Sequence, residues 1–315
     1  GNVFTGQVTP CTSGCDGSYI GTNLVEYSSE FGVKDRIHLT DMTSAWLGLR
    51  YNRIDRSSIN VDGTEPTRDQ RNITTPWIGL SHKLTSTVTA YASYGEGIES
   101  AVVPNRPADF TNAGQPLPTL KSKQQEVGVK GQTLKSTWQV TWFDITRPAT
   151  NDANQIRQID GEARHRGVEL SGNTTSVESW NLGAAYTWLD AQRQNSTIDT
   201  NINGQRPINV PAYILRASAE YRFSSIPGLR SGVRVSREGE RNVTEYGEIK
   251  LPAWTTLGAS AHYDTKVDNI ASTWTLAIEN LTDKQYWRES PIQYGHYYLY
   301  PGAPRTFRAT VQFRL

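Results

Sequence analysis

The side chains best suited to chemistry in this chain do not form the patterns that enzymes use. The five histidines form no HxH or HExxH spacing and no close cluster; they are His38, His82, His165, His262 and His296. The chain also lacks a GxSxG, P-loop or dinucleotide-binding motif. Glu238 and Glu240 resemble a glycosidase pair, but they stand beside Arg237 and Arg241 and fit a charged loop better. We therefore expect no catalytic residue, no resident metal and no cofactor.

The two cysteines, Cys11 and Cys15, are separated by three residues. A redox pair has two intervening residues, and a zinc site needs two more ligands nearby, whereas the nearest histidine is His38. We expect a disulfide that closes a small loop in an oxidising compartment. Two free thiols are the alternative.

A dense group of aromatic and basic side chains lies near the C-terminus. It comprises Tyr286, Trp287, Arg288, Tyr294, His296, Tyr297, Tyr298 and Tyr300. Aromatic rings offer apolar area and stacking, and arginine offers bidentate hydrogen bonds to oxygen anions. Which ligand this group can contact depends on the strands and loops that position it.

Composition limits the class of protein. The 32 basic and 31 acidic residues among 315 leave a net charge of +1, which excludes a basic nucleic-acid-binding surface and an acidic disordered tail. No apolar run reaches the ~18 residues that a membrane helix needs. The 9 Trp and 15 Tyr beside a single Met fit a secreted β protein, or a membrane barrel whose hydropathy is diluted by alternation.

Period-two alternation predicts strands along most of the chain. In the segment 180–188, Trp180, Leu182, Tyr186 and Trp188 share one face, while polar residues, including Asn181 and Thr187, occupy the other. The segments 215–223 and 307–315 repeat this pattern, and about 13 candidate strands can be counted. The apolar faces carry Trp and Tyr near strand ends, as in the aromatic belts of membrane proteins.

The predicted connections alternate in length. Short turns are expected near 39–42, 83–86, 132–135, 174–178 and 224–228. Long polar loops are expected near 57–71, 99–120, 148–155, 192–206 and 288–302, and the connections near 241–247 and 265–270 fit neither class clearly. This alternation is typical of an outer-membrane β-barrel. A soluble sandwich is the alternative, but 13 such strands would require a very large double sheet.

Six motifs carry a family resemblance. Ala277–Trp287 resembles the NLTDKxY signature of TonB-dependent outer-membrane receptors, and Gly302–Leu315 resembles their last strand. Matches to the siderophore-receptor branch are Tyr91–Gly97, Glu126–Gly131 and Arg166–Gly172, and Asn209–Pro211 resembles a strand entry of the family. Together they lie in the family's order over residues 91–315.

The resemblance implies an antiparallel transmembrane barrel of 22 strands preceded by an N-terminal plug. On this basis residues 19–315 form about the last 13 strands, and residues 1–18 form an extracellular loop with the Cys11–Cys15 disulfide. The plug and the segment that contacts TonB have no counterpart in the chain. Strand parity, with the last strand running toward the periplasm, places the loop 288–302 outside the cell.

The implied function is uptake of a ferric siderophore across the outer membrane of a Gram-negative bacterium, energised through the TonB complex. We expect a monomer in outer-membrane lipid, without a nucleic-acid partner. Arg288, Tyr294, His296, Tyr297, Tyr298 and Tyr300 are the candidate contacts with an anionic iron chelate, unless these rings serve only as the outer aromatic belt. A secreted glycan-binding or glycan-cleaving β protein and a passive porin-like channel are the alternative functions.

Overall fold

The computed structural model describes residues 22–60, 63–65, 67–104, 106, 109–293 and 296–314. The predicted disulfide, Cys11–Cys15, and the whole of the predicted first loop, 1–18, lie outside these residues. The strands are β1 Thr22–His38, β2 Thr43–Asn60, β3 Thr67–Lys83, β4 Val88–Glu99, β5 Leu120–Gln132, β6 Ser136–Ala153, β7 Ile156–Thr174, β8 Trp180–Gln194, β9 Tyr213–Arg222, β10 Leu229–Glu238, β11 Arg241–Asn242, β12 Lys250–Leu251, β13 Trp254–Val267, β14 Ile270–Glu279, β15 Trp287–Glu289, β16 Ile292–Gln293, β17 His296–Tyr297, β18 Tyr300–Pro301 and β19 Thr306–Arg314.

Thirteen of these strands form one antiparallel sheet in the order β1 to β10, β13, β14 and β19. Each long strand pairs with its neighbours in the sheet in an up-and-down order, so the predicted antiparallel all-β fold and the predicted number of about 13 strands in this chain are confirmed. The six short strands pair two by two inside the connections. Within the described ranges, no helix is long and apolar enough to cross a membrane.

The sheet has one polar face, which we call the inner face. One row of paired residues crosses it from β8 to β19: Asn181, Glu220, Gly232, Ser260, Ala277 and Arg308. These residues line a trough of about 410 Å³ that spans six adjacent strands. A trough of this width requires the sheet to be concave on the inner face, as in the wall of a barrel.

The opposite, outer face is apolar and exposed. On β8, Trp180 pairs with Tyr221 of β9, their rings 5.0 Å apart, and Trp188 pairs with Tyr213. The nine residues from Trp180 to Trp188 are separated by eight steps of ~3.3 Å and so cover about 26 Å along an extended strand, close to the ~25 Å apolar band of outer-membrane barrels. The predicted faces of β8 are therefore consistent with a lipid-facing side between two aromatic rows.

The connections differ between the two ends of the sheet. The short-turn end has the connections 39–42, 84–87, 133–135, 175–179, 223–228 and 268–269. The long-loop end includes 100–119, 195–212, 239–253 and 280–305. The two connections that fitted neither class in the sequence are now assigned. The connection 239–253 belongs to the long-loop end, and 268–269 is a two-residue turn at the other end.

Two predicted long loops are wrong. The segment 148–155 is mostly strand, because β6 and β7 continue to a tight turn at Asn154 and Gln155, whose φ angles of 50° and 60° suit a two-residue hairpin. The predicted loop 57–71 is likewise shortened by β2, which extends to Asn60, and by β3, which starts at Thr67.

These two segments resemble loops in the sequence because their strands extend past the aromatic row of the outer face. Beyond Trp142 and Trp188 the outer face carries ion pairs, such as Arg166 with Asp190 at 3.0 Å and Lys121 with Glu96 at 2.7 Å. A strand that is polar on both faces shows no alternation of hydrophobicity, and its sequence therefore resembles a loop.

Candidate functional site

The predicted ligand loop is a two-tiered hairpin within 280–305. In the lower tier β15 pairs with β18, with Glu289 opposite Tyr300. In the upper tier β16 pairs with β17, with Ile292 opposite Tyr297, and the Tyr298 amide donates to the Pro291 carbonyl at 3.0 Å. The strand pairing brings the two arms of the predicted site, near Arg288 and near Tyr300, side by side.

The candidate contact residues lie on both arms of this hairpin. Arg288 and Tyr300 belong to the lower tier, and both are exposed. Tyr297 and Tyr298 of the upper arm are 48% and 40% exposed. Tyr294 lies outside the described residues, and of His296 only the backbone position opposite Gln293 is described. The hairpin therefore holds an exposed aromatic surface with a cation at its base.

The base of the hairpin is built around the NLTD motif. The side chain of Asn280 donates to the carbonyls of Lys284 and Ala303, both at 3.0 Å, and accepts from the Lys284 amide at 2.9 Å. Asp283 accepts from the Arg305 amide at 2.9 Å. Asn280 is buried, so the motif organises the turn after β14 and does not present side chains to a ligand.

An aromatic stack anchors the same hairpin to the sheet. The Tyr286 ring stacks on Trp254 of β13 with centroids 4.4 Å apart. A Cβ at Gly302 would lie 2.0 Å from the Tyr286 ring, which explains the glycine that opens the last motif. Burial raises the pKa of the Tyr286 hydroxyl, and the nearby positive charge of Arg288 opposes that rise. The positive charge of Arg288 therefore lies near the aromatic base.

Neighbouring loops fix the position of the hairpin. Asn209 of loop 195–212 accepts a hydrogen bond from the fully buried Ser290 amide at 2.7 Å and donates to the Ser290 carbonyl at 2.9 Å. The Asn209 amide donates to Asn242 of loop 239–253 at 3.0 Å, and the Asn242 side chain donates to the Arg206 carbonyl at 2.9 Å. The three loops are therefore bonded into one block.

Sequence reasoning missed Asn209, Asn242 and Ser290 as the residues that position the site. Asn209 and Ser290 are 81 residues apart, so no local spacing could reveal their contact. The one available signal was Asn209–Pro211, which matched a family motif. Its asparagine has a positive φ of 63°, a conformation that asparagine tolerates better than most residues.

A second block lies at the same end of the sheet. Loop 100–119 packs Val103, Phe110 and Leu117 into a small buried cluster. Arg157 of β7 lies over the Phe110 ring at 5.0 Å, and its backbone exchanges hydrogen bonds with the side chain of Asn112. The loop is thereby fixed to the tip of the β6–β7 hairpin.

Asp160 of β7 joins loop 195–212 to that hairpin. Its buried carboxylate accepts hydrogen bonds from the amides of Thr197 and Ile198 at 2.8 and 3.3 Å, from Asn151 at 3.2 Å, and from the Ser196 hydroxyl. Burial alone would raise the pKa of Asp160, but these hydrogen bonds hold it at about 2. The carboxylate therefore bonds the two blocks in its charged form.

The described residues hold no group of three or more His, Cys, Asp or Glu side chains that could bind a metal ion. The arrangement instead offers an exposed aromatic and basic surface on a braced hairpin. Such a surface suits binding of a ligand.

The sequence matches the family described as "TonB dependent receptor-like, beta-barrel" over residues 5–281. The chain belongs to this family. It is accordingly part of an outer-membrane β-barrel of a Gram-negative bacterium. In such barrels the short turns face the periplasm and the long loops face the cell exterior, which places the braced hairpin outside the cell.

Similar proteins are receptors for iron chelates. The chain is 29% identical over 280 residues to the ferrichrome receptor FcuA of Yersinia enterocolitica, and 30% identical over 287 residues to the ferrichrome outer-membrane transporter/phage receptor of Escherichia coli K12. Each alignment covers 87% of this chain and 36% of the relative, so the chain spans about a third of their length.

Solved structures show the same barrel wall. The ferric preacinetobactin receptor BauA of Acinetobacter baumannii superimposes with a TM-score of 0.77 at 28% identity, over 93% of this chain and 43% of that one. The siderophore receptor PiuA of the same species superimposes with a TM-score of 0.76 at 19% identity, over 93% and 44%. The family assignment removes the alternative of a secreted glycan-binding or glycan-cleaving protein.

Proposed function

We propose that the protein containing this chain is an outer-membrane receptor and transporter for a ferric siderophore, energised by the TonB complex through a part of the protein outside this chain. It acts as a monomer, needs no resident cofactor and makes no covalent change in its cargo. Family membership supports the transport role, and the names of the similar proteins, which include ferrichrome, pyoverdine and ferrioxamine B receptors, support the chemistry of the cargo.

The observation that carries the ligand site is the exposed aromatic surface of the braced hairpin. Trp287, Tyr297, Tyr298 and Tyr300 are between 40% and 48% exposed. The hairpin extends from the ends of β14 and β19, beyond the strand residues that an outer aromatic belt would use. Arg288, Tyr294, His296, Tyr297, Tyr298 and Tyr300 therefore form the proposed contact set for an anionic iron chelate, in which rings stack and Arg288 bonds oxygen anions.

Changing His296, Tyr297 and Tyr298 together to alanine tests this set. In the purified full-length receptor, each lost aromatic contact is expected to weaken chelate binding by about 1–2 kcal/mol, because buried rings contribute apolar area and stacking. Binding is measured by titration with ⁵⁵Fe-labelled ferrichrome, ferrioxamine B and ferric-pyoverdine.

Tyr246→Ala is the matched control, since Tyr246 is an exposed ring in the neighbouring loop 239–253. If the triple variant assembles normally and keeps wild-type affinity, the hairpin rings serve only as an aromatic rim. A wild-type receptor that binds chelate but passes it without TonB would instead favour the passive channel.

The Cys11–Cys15 disulfide remains part of the proposal, as a cross-link in an extracellular loop. Because the outer surface of the bacterium is oxidising, we expect the two thiols to be joined in the mature receptor. Mass spectrometry of a non-reduced tryptic digest should show the peptide two hydrogens lighter than its reduced form. Detection of two free thiols in freshly isolated outer membranes would rule the disulfide out.

A further inference from the structure

Three successive short turns at the periplasmic end of the wall each carry an exposed leucine. The three, which we call the turn leucines, are Leu39, Leu84 and Leu134, in the turns 39–42, 84–87 and 133–135. Leu39 and Leu84 are 56% and 52% exposed, and Leu134 is fully exposed. Tight turns consist mostly of polar residues, glycine and proline. A lone apolar residue on a surface is ordinary, but one in each of three successive turns indicates an apolar partner.

Strand parity places Leu39 and Leu84 on the outer face. One row of paired residues crosses that face from β8 to β1: Trp188, Val168, Trp142, Val127, Ala92, Leu80, Ala45 and Ile37. Leu39 lies two residues beyond Ile37, and Leu84 lies four residues beyond Leu80. Both amides continue the ladder, because they donate to the carbonyls of Thr43 and Val88. Leu39 and Leu84 therefore extend the lipid-facing surface and point away from the interior of the barrel.

The apolar band of the wall is tall enough to reach these turns. On β8 the band runs from Trp188 to Trp180, which are eight residues apart. Leu39 is also eight residues from Phe31, an outer-face ring that pairs with Tyr51. Leu134 is eight residues from Trp142. At ~3.3 Å per residue each separation is at most about 26 Å, which matches the ~25 Å apolar band of outer-membrane barrels. Leu39 and Leu134 therefore lie where Trp180 lies on β8, at the lower edge of the band.

The turns differ according to the rings on their strands. Among the described residues, the outer face of β1 to β4 has no Phe, Trp or Tyr within six residues of the turns 39–42 and 84–87. The turn 268–269 is the opposite case, because its strands pair Tyr263 with Trp274 on the outer face. It consists of Asp268 and Asn269, and Asp268 lies five residues beyond Tyr263, or about 16 Å. Leucine thus occurs in the turns that lack the interfacial ring.

The backbone of the three turns is largely satisfied by their own side chains. In each turn one threonine hydroxyl accepts hydrogen bonds from two backbone amides, at 3.0 to 3.3 Å. The hydroxyl of Thr40 bonds the amides of Met42 and Thr43, that of Thr85 the amides of Thr87 and Val88, and that of Thr133 the amides of Lys135 and Ser136. An amide that leaves water without a partner is costly. These hydroxyls therefore lower the cost of placing the turns in a poorly hydrated layer.

We propose that the turn leucines anchor the periplasmic rim of β1 to β6 in the headgroup layer of the inner, phospholipid-facing side of the outer membrane. Their side chains contact the upper part of the phospholipid acyl chains, since interfacial apolar groups enter this boundary by about 5–10 Å. Lipid is the occupant because Leu39 and Leu84 continue the lipid-facing row without a break. The anchor fixes the depth of these strands, as aromatic rings do on the other strands.

Labelling of the wild-type full-length receptor from within the lipid tests the anchor. The receptor is placed in vesicles of phosphatidylethanolamine and phosphatidylglycerol that contain a phospholipid with a diazirine at the top of one acyl chain. Light converts the diazirine to a carbene, and fragment-ion mass spectrometry locates the labelled residues. The turn leucines should carry at least about fivefold more label than Asp268 and Asn269, because only groups inside the boundary touch the probe.

The variant Leu39→Ser, Leu84→Ser and Leu134→Ser tests whether the leucines hold the turns in place. Label on neighbouring turn residues, such as Ser86, should fall to the level of Asp268, while label on Trp180 stays unchanged. Ile249→Ser is the matched control, because Ile249 is an exposed aliphatic residue of loop 239–253 at the opposite end of the wall. It should leave the labelling of all three turns unchanged.

Two results would overturn the anchor. Wild-type label on the turn leucines no higher than on Asp268 would place these turns in water or beneath another part of the protein, and lipid would not be their partner. Turn labelling that persists in the serine variant would show that the turns enter the membrane for another reason. The wild-type comparison decides the first point even if the serine variant does not assemble.

Discussion

Replacing Ala184 with arginine is expected to lower the free energy of unfolding of the full-length barrel by about 2–4 kcal/mol, because a charge at the bilayer midplane loses its hydration. Ala184 is an exposed residue on the outer face of β8, midway between Trp180 and Trp188, and it pairs with Ala217 of β9. Equilibrium unfolding in urea, with the receptor inserted in lipid vesicles, measures the difference.

Asn181→Arg is the matched control on the same strand. Asn181 faces the inner trough and pairs across the sheet with Glu220, so the new arginine meets water and an acidic neighbour. We expect a change within about 1 kcal/mol, as for other exposed ion pairs. A large loss at Asn181 with none at Ala184 would reverse the assignment of the two faces of β8.

The strands could be predicted from the sequence because the two faces of each strand contact different media. Between Trp180 and Trp188, lipid contacts one face and the polar interior the other, so alternation fixes both the strand and its orientation. Past Trp188 both faces meet water and the period disappears. That is why β6 and β7 near Asn154 were predicted as loop although their backbone pairing continues.

The candidate site was less predictable, because its architecture depends on contacts between distant segments. The aromatic composition of 286–300 identified the hairpin, but its pairing and its position rest on Ser290 with Asn209 and on Tyr286 with Trp254. Hydrogen bonds to the backbone leave no pattern in a single sequence. The family motifs were informative for a different reason, since Asn280 and Gly302 are required by the turn and by the stacked ring.

Removing the carboxylate of Asp160 should release loop 195–212 from the β6–β7 hairpin. Asp160→Ala leaves the Ser196 hydroxyl and the amides of Thr197 and Ile198 without their acceptor, at a cost of about 3 kcal/mol of local stability, since hydrogen bonds to a charged group are strong. Hydrogen exchange of the full-length receptor should show faster exchange in loop 195–212, with the pairing of β7 and β8 unchanged.

The hydrogen bonds between Asp160 and loop 195–212 should weaken at low pH. The pKa of Asp160 falls on folding from 3.8 to about 2, so the folded state favours the charged carboxylate. At pH values above 3.8 this difference in pKa contributes about 2 kcal/mol to the free energy of unfolding, and the contribution is lost as the pH falls from 3.8 through about 2. Protection of the Thr197 and Ile198 amides, corrected for intrinsic exchange, should therefore decrease between pH 4 and pH 2 in the wild type and not in Asp160→Asn. Asp199→Asn, which alters the cap of the neighbouring 3-10 turn, should keep the wild-type dependence. If that variant loses it as well, the titrating group is not Asp160, and the bond between the two extracellular blocks has another origin.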